Sequence, residues 1–320
     1  MGSEQDVAQG TQENRSGLLT IWQPAQDNEP DMFKKLRWTV LTPWLDSPAA
    51  ELFCSLEKVF SLSGTPVAKD KKSVVFKISA GTNTFYVKRY HRTKGKRIWF
   101  GFSRISKEAE NQLLFKRLKI PAAEVVAYGE EYIFNKTARG ALITLAVENA
   151  VDLATTAQEN PRLMQNSRWA RQVIKQVARI ARTLHDYRFC HNDLKWRNIL
   201  VTQDEENPQV YLIDCPVGQR LPAFLLSRRI VKDLACLDKV AKYQFSNTQR
   251  LFFFKKYTQR QRLSAADKTM IRKILQYFQG GNEDRFGYTL LKCRADGQVN
   301  HHGLTPVASY GPSFACPLAS

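Results

Sequence analysis

The sequence predicts an α+β chain of two lobes: a small antiparallel-sheet lobe with one main helix, then a mostly helical lobe. Three features lead there. Short apolar runs punctuated by turn residues crowd the stretch from Ser73 to Val147, the pattern of hairpin-linked strands. From Trp169 to Tyr187 the spacing changes, and Trp169, Val173, Val177, Ile180, Ala181 and Leu184 recur with helical period opposite Arg171, Lys175, Arg179 and Arg182. That helix runs into HNDLKWRNILV (His191–Val201) and, after a polar interval, VYLIDC (Val210–Cys215).

Residues 1–30 are polar and without periodicity, so they are expected to be disordered. The first lobe, with an N-terminal extension, is expected over residues 31–145 and the second over 146–280. Residues 281–320 gain Gly, Pro and isolated Cys and read as an irregular or disordered tail, in which His301 and His302 would bind metal only adventitiously. Between Met32 and Leu45, the aromatic and basic residues Phe33, Lys34, Lys35, Arg37, Trp38 and Trp44 are expected to pack onto the first lobe, with an anionic surface as the alternative.

Lys58–Ser63, Ser73–Ser79 and Thr84–Tyr90 read as strands, with GTPVAKDKK joining the first two. Gly64 is the one glycine of that connection, so Lys71, Lys72 and Ser73 are its candidates for phosphate contacts, a solvated basic turn explaining them equally well. In the third strand, alternation sends Phe85, Val87 and Arg89 to one face and Tyr86, Lys88 and Tyr90 to the other. A helix over Lys107–Leu118, capped by Ser106 and ended by Pro121, carries Glu108 and Glu110, which point in different directions. Ala122–Tyr128, Tyr132–Phe134 and Ala141–Val147 complete the sheet, and Thr144–Glu148 falls where the lobes join.

The two motifs carry the chemistry. Asp193 is placed to accept the proton of an attacking hydroxyl, while Asn198 and Asp214 offer hard oxygen donors for Mg2+ bridging the phosphates of ATP. A strand at Ile199–Thr202, a turn through Asp204–Pro208 and a strand at Val210–Ile213 would return Asp214 to face Asn198. Lys195 can neutralise charge on the transferred phosphoryl group, with Arg197 as second choice. His185 and His191 read as structural residues.

On these residues the chain resembles the protein-kinase-like superfamily. Within it, the stretch from about Leu52 to Gln279 is similar to the bacterial lipopolysaccharide kinase family, the Kdo and heptose kinases of the lipid A inner core. TFYVKRYH, KEAENQLLFKRLKIPAAEVVAYG, GALIT and CHNDLKWRNIL carry that closer likeness. The resemblance implies a two-lobed protein-kinase-like fold, ATP as co-substrate with Mg2+, and a sugar hydroxyl of the lipid A-core glycolipid as acceptor. It also implies that Lys88 holds the α and β phosphates and that Glu108 pairs with Lys88, with Glu110 in reserve. Asp233 resembles the acid that binds the catalytic-loop backbone, although an acid opening a helix explains it equally well. Backbone groups around Thr144–Glu148 would take the adenine.

Departures from protein kinases are informative. Asn192 stands where Arg is usual, Cys215 and Pro216 replace Phe and Gly, and RRIVKDLACLDKVAK follows soon after Asp214 without Ala-Pro-Glu. These changes argue against activation-loop phosphoregulation and against a peptide acceptor. The residue chemistry alone reaches only ATP-dependent phosphorylation of an alcohol, so a protein kinase or an aminoglycoside-type phosphotransferase shares the machinery. A non-catalytic kinase-fold binding protein is the third reading, and Lys88, Asp193, Asn198 and Asp214 standing together argue against it.

Composition bounds the partners. Among 320 residues, 48 Lys and Arg against 30 Asp and Glu leave a net charge of +18, suited to polyanions. KRYHRTKGKRIWFGFSR, with Trp99, Phe100 and Phe102, and LFFFKKYTQRQR, with Phe252, Phe253 and Phe254, interleave cations and aromatics. Given the family likeness, an anionic inner-membrane surface is the expected partner and no nucleic acid is expected. No apolar run reaches the roughly 18 residues of a bilayer span, no signal-peptide layout begins the sequence, and six Cys without CxxC argue against zinc or a disulfide scaffold. The expected location is cytoplasmic, peripheral on the cytoplasmic face of the inner membrane.

Overall fold

The first elements are β1 (Gly10–Glu13) and β2 (Leu19–Trp22), an antiparallel hairpin within a stretch where the sequence predicts no regular structure. In this computed structural model the described residues are 10–13, 19–22, 34–70, 73–91, 104–133 and 136–279, all within one compact unit, Met1–Asn282. The rest of the predicted N-terminal disorder, Phe33, Lys71, Lys72, Trp99, Phe100, Phe102 and the predicted tail with His301 and His302 lie outside the described residues.

β3 (Lys34–Val40) is followed by two short helices, α1 (Pro48–Phe53) and α2 (Leu56–Ser61). The second corrects the strand predicted at Lys58–Ser63. Ser55 caps it by accepting from Lys58 N, and Leu56 and Val59, three residues apart, are both buried, a helical spacing that short-range alternation mimics. The strand lies after it, as β4 (Thr65–Lys69), and Asp70 closes the turn into β5 (Ser73–Ala80) by accepting from Ser73 N at 2.7 Å.

β6 (Asn83–His91) pairs with β5 and places Lys88 opposite Val75. α3 follows at Arg104–Arg117, starting earlier than predicted: Ser106 lies inside it and donates to Glu130 Oε1 at 2.6 Å instead of capping it. β7 (Val125–Ile133) and β8 (Lys136–Leu145) then form one long hairpin in place of three predicted runs. Gly129-Glu130-Glu131 falls between two of those runs, yet Ser106 and Tyr132 bind Glu130 and Arg139 binds Glu131, so the acids stay in the ladder.

The resulting antiparallel sheet has the order β3-β7-β8-β6-β5-β4. One face, through Phe85, Val87, Ala141 and Ile143, packs on Phe53, Leu56 and Val59 of α1 and α2. The other face packs Tyr90 and Leu142 against Ile105 and Ala109 of α3. At Gly140 a Cβ would stand 2.6 Å from the backbone oxygen of Gly129 and 2.4 Å from Ile105 Cδ1 of α3, so a larger residue would force the β7–β8 pairing or the helix to shift. Met32–Leu45 therefore belongs to the lobe where described: β3 pairs with β7, and Trp38 Nε1 donates to Phe53 O at 2.8 Å.

β9 (Ala150–Asp152), α4 (Leu153–Glu159) and α5 (Pro161–Gln165) lead to α6 (Ser167–Asp186), which Asn166 caps. α6 buries Trp169, Val173, Val177, Ile180, Ala181 and Leu184 while Arg171, Lys175 and Arg179 are exposed. β10 (Phe189–Cys190), β11 (Ile199–Thr202), β12 (Val210–Leu212) and β13 (Gln219–Arg220) follow, and then α7 (Ala223–Gln244), α8 (Asn247–Thr258) and α9 (Ala265–Gln276). The prediction that Asp233 opens a helix is corrected, because it sits in the middle of α7 and is fully buried. The lobes are tied where the chain leaves α3: Leu212 N donates to Pro121 O at 2.9 Å, and Phe115 and Ile120 join the core of the second lobe.

Candidate active site

Lys88, Glu108 and Asp214 meet between the lobes. Lys88 Nζ lies 2.8 Å from Glu108 Oε1 and 2.5 Å from Asp214 Oδ1. β6 aims Lys88 at α3 because Lys88 alternates with Phe85 and Val87, which face the opposite core. Glu110, two positions further on, points away and pairs with Lys107 at 3.8 Å. Tyr90, on the same strand face as Lys88, donates its hydroxyl to Glu108 Oε2. That third partner was legible in hindsight from the period of two along β6.

The electrostatics follow from burial and pairing. Burial opposes a charge on Lys88, but the carboxylates of Glu108 and Asp214 outweigh it and raise the ammonium above its ordinary value. Burial pushes the Glu108 carboxyl up. For Asp214 burial again acts upward, and the charge and hydrogen bond of Lys88 prevail, holding the carboxyl below the usual range.

The loop between β10 and β11 carries the other candidates. Asp193 Oδ1 is 2.5 Å from Lys195 Nζ, and Arg197 approaches Asp193 Oδ2 at 3.7 Å. Asn198 Nδ2 donates to Asp193 O at 2.8 Å, which leaves the Asn198 side chain with only its Oδ1 to offer a ligand. Ile213 N donates to Asn198 O at 3.0 Å, extending the β11–β12 pairing that carries the chain to Asp214. Asn198 and Asp214 thus supply oxygen donors suited to a hard cation such as Mg2+. Asn192 and Asp214 both hold positive φ, 64° and 56°, a conformation Asn and Asp tolerate better than most residues.

Asp233 braces this loop from below. Its carboxylate accepts from His191 N and Asn192 N, each at 2.8 Å, and His185 Nε2 stands 3.4 Å away. His185 Nδ1 also meets Tyr257 Oη at 2.9 Å, and burial pushes the neighbouring Cys190 thiol up to about 12. His185, Cys190 and Asp233 lie close enough to resemble a metal cluster, and in this structure the His185 ring and the Asp233 carboxylate are engaged in the hydrogen bonds that support the loop. The His191 ring is buried, stacks on Phe115 at 6.2 Å, and burial lowers its pKa.

Besides that of Tyr90, the roles of two residues escaped sequence reasoning. Asn111, buried one turn beyond Glu108 on the same face of α3, donates to Cys215 O at 2.6 Å and to Gly218 O at 3.1 Å. Asn192 Nδ2 donates to Val217 O at 3.0 Å. Together they clamp the short segment after Asp214. The three-residue offset from Glu108 was the available signal for Asn111; nothing local marked the partner of Asn192.

Fold and site together define a member of the protein-kinase-like superfamily. The chain belongs to the lipopolysaccharide kinase (Kdo/WaaP) family, whose pattern it matches over residues 69–257. A 3-deoxy-D-manno-octulosonic acid kinase of Haemophilus influenzae is 36% identical over 73 residues, 23% of this chain and 27% of that protein. One from Mannheimia succiniciproducens is 31% identical over 104 residues, 32% of this chain and 40% of that protein. The matches therefore span under half of either relative's length. A solved structure described as WaaP in complex with acyl carrier protein shares the fold, with a TM-score of 0.54 at 19% identity over 76% of this chain and 99% of that one.

Proposed function

We propose that this protein transfers the γ-phosphoryl group of ATP to a sugar hydroxyl, of Kdo or heptose, in the lipopolysaccharide inner core. The convergence of Lys88 with Glu108 and Asp214, beside the loop that carries Asp193 and Asn198, is the observation that supports it most. Lys88, held by Glu108, binds the α and β phosphates. Asp193 takes the proton as the sugar oxygen bonds to the γ-phosphorus and the bond to the β–γ bridging oxygen breaks, releasing ADP. Lys195 shields charge on the transferring group from its place beside Asp193. Asn198 and Asp214 would hold Mg2+, which would supply neutralisation of the charge on the phosphate oxygens.

The acceptor assignment draws on the family and on the curated relatives' names. The short clamped segment after Asp214 supports it, since α7 begins at Ala223 and leaves little chain to cradle a peptide. A lipid-linked acceptor places the protein at the cytoplasmic face of the inner membrane as a peripheral protein. No helix among the described residues is long and apolar enough to cross a membrane. The test is incubation with labelled ATP and purified inner-core glycolipids ending in Kdo or in heptose, read by mass spectrometry. A gain of about 80 Da on one sugar is expected. Label on casein or aminoglycosides, with both glycolipids untouched, would reject the proposal.

A further inference from the structure

We propose that the first two turns of α7, with the segment leading into them, form a wedge that seats this chain on an anionic bilayer. The inference rests on the lipid-linked acceptor proposed above and names the surface that would meet its membrane. Phe224 is 81% exposed, and Leu225 and Val217 are each 48% exposed, so three apolar side chains project where α7 begins. Around them stand Arg188, Arg220, Arg228 and Arg229, all exposed, and half-buried Lys232. Arg228 and Lys232 continue the helical stripe of Phe224 at four-residue intervals, and Arg229 continues that of Leu225.

No acidic residue occurs from Val217 to Lys232, and the next one, Asp233, is fully buried on the catalytic-loop backbone. Among the described residues none of these five cations forms a salt bridge. Arg220 instead lies over the Tyr187 ring at 4.9 Å, which adds an amphipathic aromatic to the rim. A projecting apolar helix end surrounded by unpaired cations matches the two components of interfacial binding: insertion between acyl chains and attraction to anionic headgroups. Charge complementarity therefore selects an anionic lipid surface as the occupant.

The wedge is joined to the site by backbone. β13 pairs with β10, the strand that enters the catalytic loop; Leu221 N donates to Arg188 O at 2.9 Å; and Val217 O receives Asn192 Nδ2 beside Asp193. Along α7, Phe224 and the loop-bracing Asp233 are nine residues and hence about 14 Å apart. A chain seated by this wedge would hold its catalytic loop close to the headgroup layer, where the sugars of a lipid-anchored acceptor stand.

The test is flotation of the full chain with phosphatidylcholine vesicles, with and without phosphatidylglycerol. Wild type is compared with Phe224→Ser/Leu225→Ser, Arg228→Glu/Arg229→Glu and, as a control on another helix, Lys268→Glu/Arg272→Glu. Wild type should float only with the anionic vesicles; both α7 variants should lose at least tenfold in bound fraction while the α9 variant stays within twofold. Unfolding curves guard against a folding defect. Wild type that ignores anionic vesicles, or α7 variants that float like wild type, would overturn the wedge. So would α7 variants that lose self-association in gel filtration while keeping vesicle binding. A water-soluble, de-acylated core acceptor separates the two proposals: α7 variants should phosphorylate it at the wild-type rate, and its non-phosphorylation by wild type would count against the kinase reading alone.

Discussion

Lys88 Nζ lies 2.5 Å from Asp214 Oδ1, joining a strand of the first lobe to a loop 126 residues later. The same ammonium holds Glu108, whose side chain is 3% exposed. Lys88→Ala should therefore be costly twice over. Leaving the buried Glu108 carboxylate without its cation is expected to destabilise the fold by about 3–5 kcal/mol, measured by urea unfolding. Turnover should be lost as well, and Glu108→Gln, which removes the buried charge, should restore part of the stability of Lys88→Ala but none of its activity.

Asp193 is partly exposed and is held by cations instead of packing, so its loss should spare the fold. Asp193→Asn is expected to reduce phosphoryl transfer by about 10²- to 10⁴-fold with an unchanged melting temperature. Near-normal turnover in this variant would remove the base from the mechanism.

Asn111 tests the clamp. Asn111→Ala leaves the carbonyls of Cys215 and Gly218 without their donor, an expected cost of about 1–3 kcal/mol. Because α3 would no longer hold the segment after Asp214, kcat should fall about tenfold while KM for ATP stays within about twofold. Asn111→Asp, which presents an acceptor to two acceptors, should be worse than Ala in both respects.

Chelation of divalent cations should abolish transfer without moving the melting temperature, because Lys88 already bridges Glu108 and Asp214. Asp214→Asn should weaken the response to Mg2+ in titrations of activity. Activity in excess chelator would contradict the assignment of Asn198 and Asp214.

The buried imidazole of His191 makes the acid side of the stability curve a readout. Burial lowers its pKa in the folded chain from the ordinary 6.5, so the unfolded state binds the proton more readily. Its contribution is fully present above pH 6.5 and is lost as pH falls through the folded-state pKa. His191→Phe keeps the stack on Phe115 and should reduce the drop in melting temperature between neutral pH and about pH 5. An unchanged drop would assign the acid sensitivity elsewhere.

The chain by itself determined the elements whose signals are local. The α6 stripe, the β11–β12 hairpin and the order of Asp193, Asn198 and Asp214 are short-range patterns, readable because period and turn chemistry act over a few residues. Where a neighbour far along the polymer outweighed the local pattern, reading failed. Glu130 and Glu131, left between two predicted strands, joined one long strand because Ser106 and Arg139 satisfy them, and of the two readings of Asp233 the helix start gave way to the acid that holds the backbone of His191 and Asn192. The tertiary structure pairs Lys88 with Glu108 and not Glu110, as the family likeness implied, and it alone brought Tyr90 to Glu108 and set Asn111 on the carbonyls of Cys215 and Gly218. A side chain's residue type announces what it can bond; which partner it meets is decided by packing between elements that the sequence keeps far apart.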